Sequence, residues 1–264
     1  MIRLSANLSF LFTELPFLDR FEAAAHAGFK AVEYMFPYEF DCEAIRLRLD
    51  EYRLQQVLFN LPAGDWTAGE RGIACHPGRE QEFLAGLRQA LLLAKKLGVR
   101  HLNCLAGLKP KSFSEDACRK TFIANLRLAA EMAAAEDVQL LIEPINSRID
   151  MPGFWLDTPT KAMALIEEIS HGNVFLQYDV YHAHVMGEEV LTGLQAVLPS
   201  VRHIQIADHP GRHQPGTGEI PFGALFELLS DRAYQGWVGC EYRPSAESAS
   251  SFDWAEGFLN RTAT

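Results

Sequence analysis

Four side chains suited to holding a cation or moving a proton stand at or near the ends of short apolar runs. Val138-Gln-Leu-Leu-Ile-Glu-Pro-Ile-Asn146 runs straight into Glu143. Val174-Phe-Leu-Gln-Tyr-Asp179 ends at Asp179, and Trp237-Val-Gly-Cys-Glu241 ends at Glu241. Val201-Arg-His-Ile-Gln-Ile-Ala207 carries Gln205 near its end. Runs this apolar read as strands buried on both faces. Pro144 cannot donate to a sheet ladder, so its strand is predicted to end at Glu143. The carboxyl end of a strand is where parallel α/β proteins bind ligands. Taken alone, Glu143 reads equally well as a solvated residue at a strand exit. Three carboxylates in one cavity repel one another and raise their pKa values, and a divalent cation removes that conflict. The oxygen-rich set Glu143, Asp179, Gln205 and Glu241 suits Mg²⁺ or Mn²⁺, and the lack of thiolate or imidazole in it disfavours a zinc cage. The bland alternative pairs these acids with Arg202, Arg212 or Arg243. That is reasonable for one acid and poor for three.

Three further positions extend the constellation. His182 follows Asp179 by three residues, which favours a role facing the substrate or supporting a ligand. His184, His203, His209 and His213 lack such a placement and read as structural. Arg212 lies in the polar segment Asp208–Glu219, where its guanidinium either holds a substrate carboxylate or is an idle surface group. The segment Pro62–Gly78 is too long for an ordinary connection in a compact domain, and Trp66, Glu70 and Arg71 are costly residues for an idle loop.

The elements that must position these groups alternate strand and helix. Strands are expected at about 3–8, 31–36, 56–61, 100–106, 138–143, 174–179, 201–207 and 237–241. Amphipathic helices are expected at about 16–26, 41–52, 79–97, 114–135, from 158, and at 188–198, 221–231 and 252–260. Ser114 reads as an N-cap, and Thr158-Pro159 as a cap followed by proline at the first helical position. Eight strand–helix units with no linker over residues 1–264 predict a single-domain (β/α)8 TIM barrel. The rival doubly wound sheet lacks a Gly-rich turn after the first strand. In a barrel, all strand ends face one mouth, so the four candidate ligands converge.

The chain has 264 residues, 48% of them hydrophobic, enough for a substantial core. A formal net charge of −10 disfavours nucleic acid or an anionic membrane as partner. Five cysteines, with no C-x-x-C pair, read as reduced thiols of a cytoplasmic protein. The opening residues lack a signal-peptide layout, and no apolar stretch is long enough to span a membrane. A small anionic substrate stays compatible with the charge. Homo-oligomerisation is left open.

The chain resembles hydroxypyruvate isomerases, within the wider group of sugar-isomerase and epimerase TIM barrels that includes endonuclease IV. Its most specific segments are Ser5-Ala-Asn-Leu-Ser9, Asn60-Leu-Pro-Ala-Gly-Asp-Trp66, Gly69-Glu-Arg-Gly-Ile-Ala-Cys75, Ile142-Glu-Pro-Ile-Asn146, Pro215-Gly-Thr-Gly-Glu-Ile220 and Gly236-Trp-Val-Gly-Cys-Glu-Tyr242. The resemblance implies a metal site at Glu143, Asp179, Gln205 and Glu241, with Glu143 and Glu241 as the catalytic pair. It implies substrate contacts from Asn7, Glu70, His182 and Arg212. The implied reaction interconverts hydroxypyruvate and tartronate semialdehyde, a small hydroxy-keto acid pair. Related ketose 3-epimerases carry His where this chain has Gln205, which speaks against epimerase activity. 2-Oxo-tetronate isomerases are similar over much of the chain and stay as an alternative. A non-catalytic sugar-binding protein on the same barrel is a further one.

Overall fold

The computed structural model describes residues 2–259. Eight strands form one closed parallel barrel in chain order. They are β1 (Arg3–Asn7), β2 (Ala31–Glu33), β3 (Gln55–Asn60), β4 (His101–Cys104), β5 (Gln139–Ile142), β6 (Val174–Asp179), β7 (Val201–Ile206) and β8 (Trp237–Cys240). Closure comes from β1 pairing with β8, with Ser5 opposite Gly239 and Ala6 opposite Cys240. The helices are α1 (Arg20–His26), α2 (Cys42–Tyr52), α3 (Glu80–Leu97), α4 (Glu115–Ala134), α5 (Pro159–Ile169), α6 (Val180–Met186), α7 (Val190–Val197), α8 (Phe222–Asp231) and α9 (Glu256–Leu259). The expected barrel is therefore the observed one.

Local chemistry sets the helix starts where the sequence places them. Asp41 accepts from the Glu43 N–H, Ser114 from Ala117, and Thr158 from Lys161. Each satisfies a backbone donor that the first helical turn leaves free. Several strands end earlier than expected. β5 stops at Ile142, because Pro144 has no donor and the Ile145 N–H turns to Leu156 O. Beyond β2, the Met35 N–H is taken by the Ser9 hydroxyl, not by a strand. The helix expected at 188–198 is α7, and an unexpected helix, α6, precedes it. Asp179 accepts from the His182 N–H and starts α6 directly off the end of β6, and Gly187 closes it in the left-handed conformation. The last expected helix is reduced to 3-10 turns and α9, and residue 260 lies outside the described residues.

Alternate residues of a strand share a face, and in a barrel one face is the interior. Here that interior is apolar at its base and polar above. Ala31, Val57, Leu58 and Leu141 form the small inner cluster, with Phe175 and Trp237 against it. Two residues further along their strands come Glu33, Glu143 and Gln177, and Gln177 is followed by Asp179. The apolar base holds the strands, and the polar layer above it is the floor of the site.

Candidate active site

Asn7, Glu143, His182, Gln205, Arg212 and Glu241 line one cavity of about 240 Å³ at the carboxyl ends of the strands. A larger cavity of about 680 Å³ lies at the amino ends, among Arg3, His101, Arg202 and Trp237. Among the described residues no carboxylate lines that one, so proton transfer between acids belongs to the smaller cavity.

Glu143 is buried and receives one hydrogen bond, from Asn103 Nδ2 at 2.7 Å. Burial and the neighbouring Asp179 charge push its carboxyl up to about 8. Asp179 Oδ1 accepts the His182 N–H at 2.9 Å, while its buried Oδ2 has no hydrogen-bond partner among the described residues. Glu143, Asp179 and His182 each offer an atom within 4.8 Å of the others. Two crowded buried carboxyls with an orphaned oxygen fit a divalent cation.

Whether the imidazole belongs to that set is decided by its tautomer. Asn146 Oδ1 accepts the N–H groups of Ile149 and Asp150, at 2.9 and 3.0 Å, which fixes the orientation of its amide. Asn146 Nδ2 then donates to His182 Nδ1 at 2.7 Å. Nδ1 is thus an acceptor, and the neutral ring carries its proton on Nε2. Burial lowers the His182 pKa to about 4, so the ring is neutral near pH 7. His182 accordingly presents an N–H donor to the site, where a cation would need a lone pair.

Glu241 sits at the end of a different network. Arg212 Nη2 donates to its Oε1 at 2.5 Å, and Asn7 and Gln205 donate to Oε2 at 2.8 and 2.6 Å. Burial, with the neighbouring Glu143 and Asp179 charges, holds the Glu241 pKa well above the usual carboxylate value against the pull of Arg212. Three donors converge on its two oxygens, an arrangement that favours the carboxylate form over the neutral acid. Gln205 Nε2 also donates to Glu33 Oε1 at 2.8 Å, and its Oε1 accepts from Gln177 at 2.6 Å. With carboxylates on both sides, the amide nitrogen must face them. The expected ligand oxygen of Gln205 is therefore turned away from Glu143 and Asp179, and Gln205 acts here as a brace on Glu241. The structure brings Glu143 and Asp179 together as expected and holds Glu241 and Gln205 in hydrogen bonds of their own.

Arg212 is buried, with Phe10 and Tyr181 over its guanidinium at 4.7 and 5.2 Å. Its Nη1 donates to Asp150 at 3.0 Å, and Asp150 also accepts from Asn146 and Tyr181. Burial works against the charge, but Glu241, Asp179 and Asp150 outweigh it and hold the Arg212 pKa up. Its backbone is in the left-handed region at φ 57°. The loop enforces that conformation through Asp208, whose carboxylate accepts the N–H groups of His209, Gly216, Gly218 and Ile220.

Glu70 does not reach the cavity. Its carboxylate is taken by Arg79 and by the Asp65 N–H, so it ties the 62–78 loop to α3, and the expectation of a substrate contact fails on that geometry. Its neighbours Trp66 and Arg71 line the cavity instead. Sequence reading also missed Glu33, a fully buried hub that accepts from Ser5 at 2.7 Å, Asn7 at 3.2 Å and Gln205. His203 Nε2 lies 2.8 Å from Glu33, though off the line of a good hydrogen bond. Burial works to raise the Glu33 pKa, but His203 together with the hydrogen bonds from Gln205 and Ser5 outweighs it and holds the carboxyl below its usual value. The available signal was a lone carboxylate inside the apolar run 31–36. Asp150, Asn103 and Asn146 were missed as well.

Residues 21–258 match the family described as xylose isomerase-like TIM barrel. The chain is 46% identical to hydroxypyruvate isomerase of Escherichia coli over 98% of this chain and 100% of the other. It is 44% identical to 2-oxo-tetronate isomerase of Cupriavidus necator, over 99% and 100%. A crystal structure named AP endonuclease, family 2, from Brucella melitensis superposes with a TM-score of 0.96 at 42% identity. It covers 98% of this chain and 100% of that one.

Proposed function

Since the chain belongs to the xylose isomerase-like TIM-barrel family, we propose that it is an isomerase interconverting hydroxypyruvate and tartronate semialdehyde. Full-length similarity to enzymes of this class supports the reading. The observation that carries it is a pair of buried glutamates with unlike partners at one cavity. Glu241 is held by a guanidinium and two amides, whereas Glu143 is crowded by Asp179. Unlike partners suit the two carboxyls to unlike roles, the one met by donors to act as base and the one crowded by a carboxylate as acid.

The reaction moves one hydrogen between adjacent carbons. Glu241 removes a proton from C3 of hydroxypyruvate, and the electron pair enters the C2–C3 bond as the C2 carbonyl oxygen gains charge. The C3 hydroxyl proton passes to the C2 oxygen, leaving the aldehyde at C3, and Glu143 returns a proton to C2. The His182 Nε2–H, fixed by Asn146, donates to the oxygen on which charge develops. Asn7 and Gln205 hold Glu241 in place. Glu143 and Asp179 would hold a divalent cation, Mg²⁺ or Mn²⁺, and Glu241 and Gln205 would join them on giving up their present hydrogen bonds. Bound there, the cation supplies positive charge beside the developing oxyanion. General acid–base work contributes about 10²–10⁴-fold. Glu241→Gln should keep the fold and lose turnover by at least the lower figure. Near-normal isomerisation in that variant overturns the two-glutamate scheme.

The similarity to a 2-oxo-tetronate isomerase supports a second reading, the same chemistry on a four-carbon acid. Rates on hydroxypyruvate and on 2-oxo-tetronate, measured side by side, separate the two. We place the protein in the cytoplasm, on the strength of five free cysteines. None of its described helices is long and apolar enough to cross a membrane.

A further inference from the structure

A substrate that carries a carboxylate needs a cation at the cavity that other acids have not already claimed. Among the described residues three arginines line it: Arg71, Arg212 and Arg243. Arg212 lies between Asp150 and Glu241, at 3.0 and 2.5 Å, so it is already neutralised on two sides. Arg243 is exposed, and among the described residues no side-chain partner holds it. Arg71 differs from both. Its guanidinium lies over the Trp66 ring at 4.1 Å, and Trp66 packs edge-on against Phe36 at 5.0 Å. One nitrogen, Nη1, donates to the carbonyls of Trp66 and Glu70 at 3.1 and 2.7 Å. Among the described residues no carboxylate lies within ion-pair distance of it, which leaves Nη2 and Nε for a ligand.

The loop that carries Arg71 is built to stay in place. The Gly72 N–H donates to Ala63 O at 2.9 Å, and Gly72 bridges to Ala106 beyond β4. Gly72 has φ 111°, and a Cβ there would lie 2.3 Å from Leu105 O, so only glycine lets the loop sit this close. Glu70, on the other side, is pinned by Arg79. Both neighbours of Arg71 are thus fixed, and its guanidinium is oriented before any ligand arrives. Such preorganisation lowers the cost of binding.

We propose that Arg71 is the specificity-determining residue that binds the substrate carboxylate, leaving Arg212 to position Glu241. This rests on the proposed isomerase reading for the reaction but not for the binding. The carboxylate at the Trp66–Arg71 wall directs the reacting carbons inward, toward Glu143 and Glu241. It also accounts for selection of a hydroxy-keto acid over a neutral sugar on a barrel shared with sugar enzymes. A charge-assisted pair of this kind discriminates acid from neutral ligand by about 10–100-fold.

Glycerate, a three-carbon hydroxy acid, serves as the probe, with Mn²⁺-loaded protein titrated by calorimetry. Arg71→Met should weaken glycerate binding about 10–100-fold, and Arg71→Lys should restore part of it, since lysine keeps the charge and loses the fork. In the isomerase assay Arg71→Met should raise the KM for hydroxypyruvate far more than it lowers kcat. Unchanged glycerate affinity in Arg71→Met overturns the proposal, as does an equal fall in kcat with KM unmoved. Loss of affinity in Arg212→Lys alone assigns the carboxylate to Arg212 and overturns it too. Calorimetry needs no turnover. If wild-type protein binds glycerate through Arg71 yet leaves hydroxypyruvate unchanged, the reaction assignment fails and the binding assignment stands.

Discussion

At the residue scale, the site works by giving similar side chains different partners. Glu143 and Glu241 are both buried glutamates at strand ends, yet one is crowded by a carboxylate and the other is held by a guanidinium and two amides. The Glu143 carboxyl is raised from the ordinary 4.5 to about 8. Between those values the folded chain binds a proton that the unfolded chain has released, so stability falls as pH rises across the window. With a chelator present, the free energy of unfolding should therefore drop between about pH 5 and 8, by no more than about 1.4 kcal/mol per pH unit. Glu143→Gln should remove that slope, which chemical denaturation across the pH range will show. Asn146 offers a second test. Asn146→Asp places an acceptor against His182 Nδ1, which moves the ring proton to Nδ1 and removes the donor from the cavity. Turnover should fall by an order of magnitude or more while KM changes little, and steady-state kinetics will measure that split.

At the element scale, two backbone devices hold these residues. Gly239 on β8 has no side chain where a Cβ would lie 2.3 Å from Glu33 Oε1. Glu33 cannot yield, because Ser5, Asn7 and Gln205 all hold it. Gly239→Ala should thus cost about 1–3 kcal/mol of stability, as overpacked cores do, read from the denaturant midpoint. The 208–220 loop depends on one carboxylate accepting four backbone N–H groups. Asp208→Ala should release the left-handed Arg212 and lower kcat/KM, with the barrel's far-ultraviolet circular dichroism unchanged. The strands were legible, their ends to within a few residues, because apolar runs stop near where the chain meets the rim. Helix α6 was not, because its start signal is Asp179 itself. The capping role and the site role fall on one residue, and the sequence pattern marks only one of them.

At the scale of the whole molecule, closing the barrel turns local strand ends into a shared cavity. Asn7 donates to Glu241 across 234 residues of chain, and that contact exists only because β1 closes on β8. A cation binding Glu143 and Asp179 ties β5 to β6 and stabilises the folded state by mass action. Adding Mn²⁺ to chelator-treated protein should raise Tm and restore turnover together, and Asp179→Asn should abolish the rise in Tm. Thermal unfolding with and without the ion is the measurement.

The sequence by itself determined the barrel and its rim. Apolar runs at regular spacing specify parallel strands, and the period of two puts Glu143 and Asp179 on the inner face at the ligand end. Only the tertiary structure decided what each polar group touches. Gln205 and Glu70 are polar residues in the expected places, but one turns its amide nitrogen to two carboxylates and the other spends its charge on Arg79. Arg71, beside Glu70, reaches the cavity in its stead. The reason is physical. Which face a residue occupies follows from the local repeat of its own strand, whereas its partner is set by groups from distant strands and loops that closure brings within hydrogen-bonding distance.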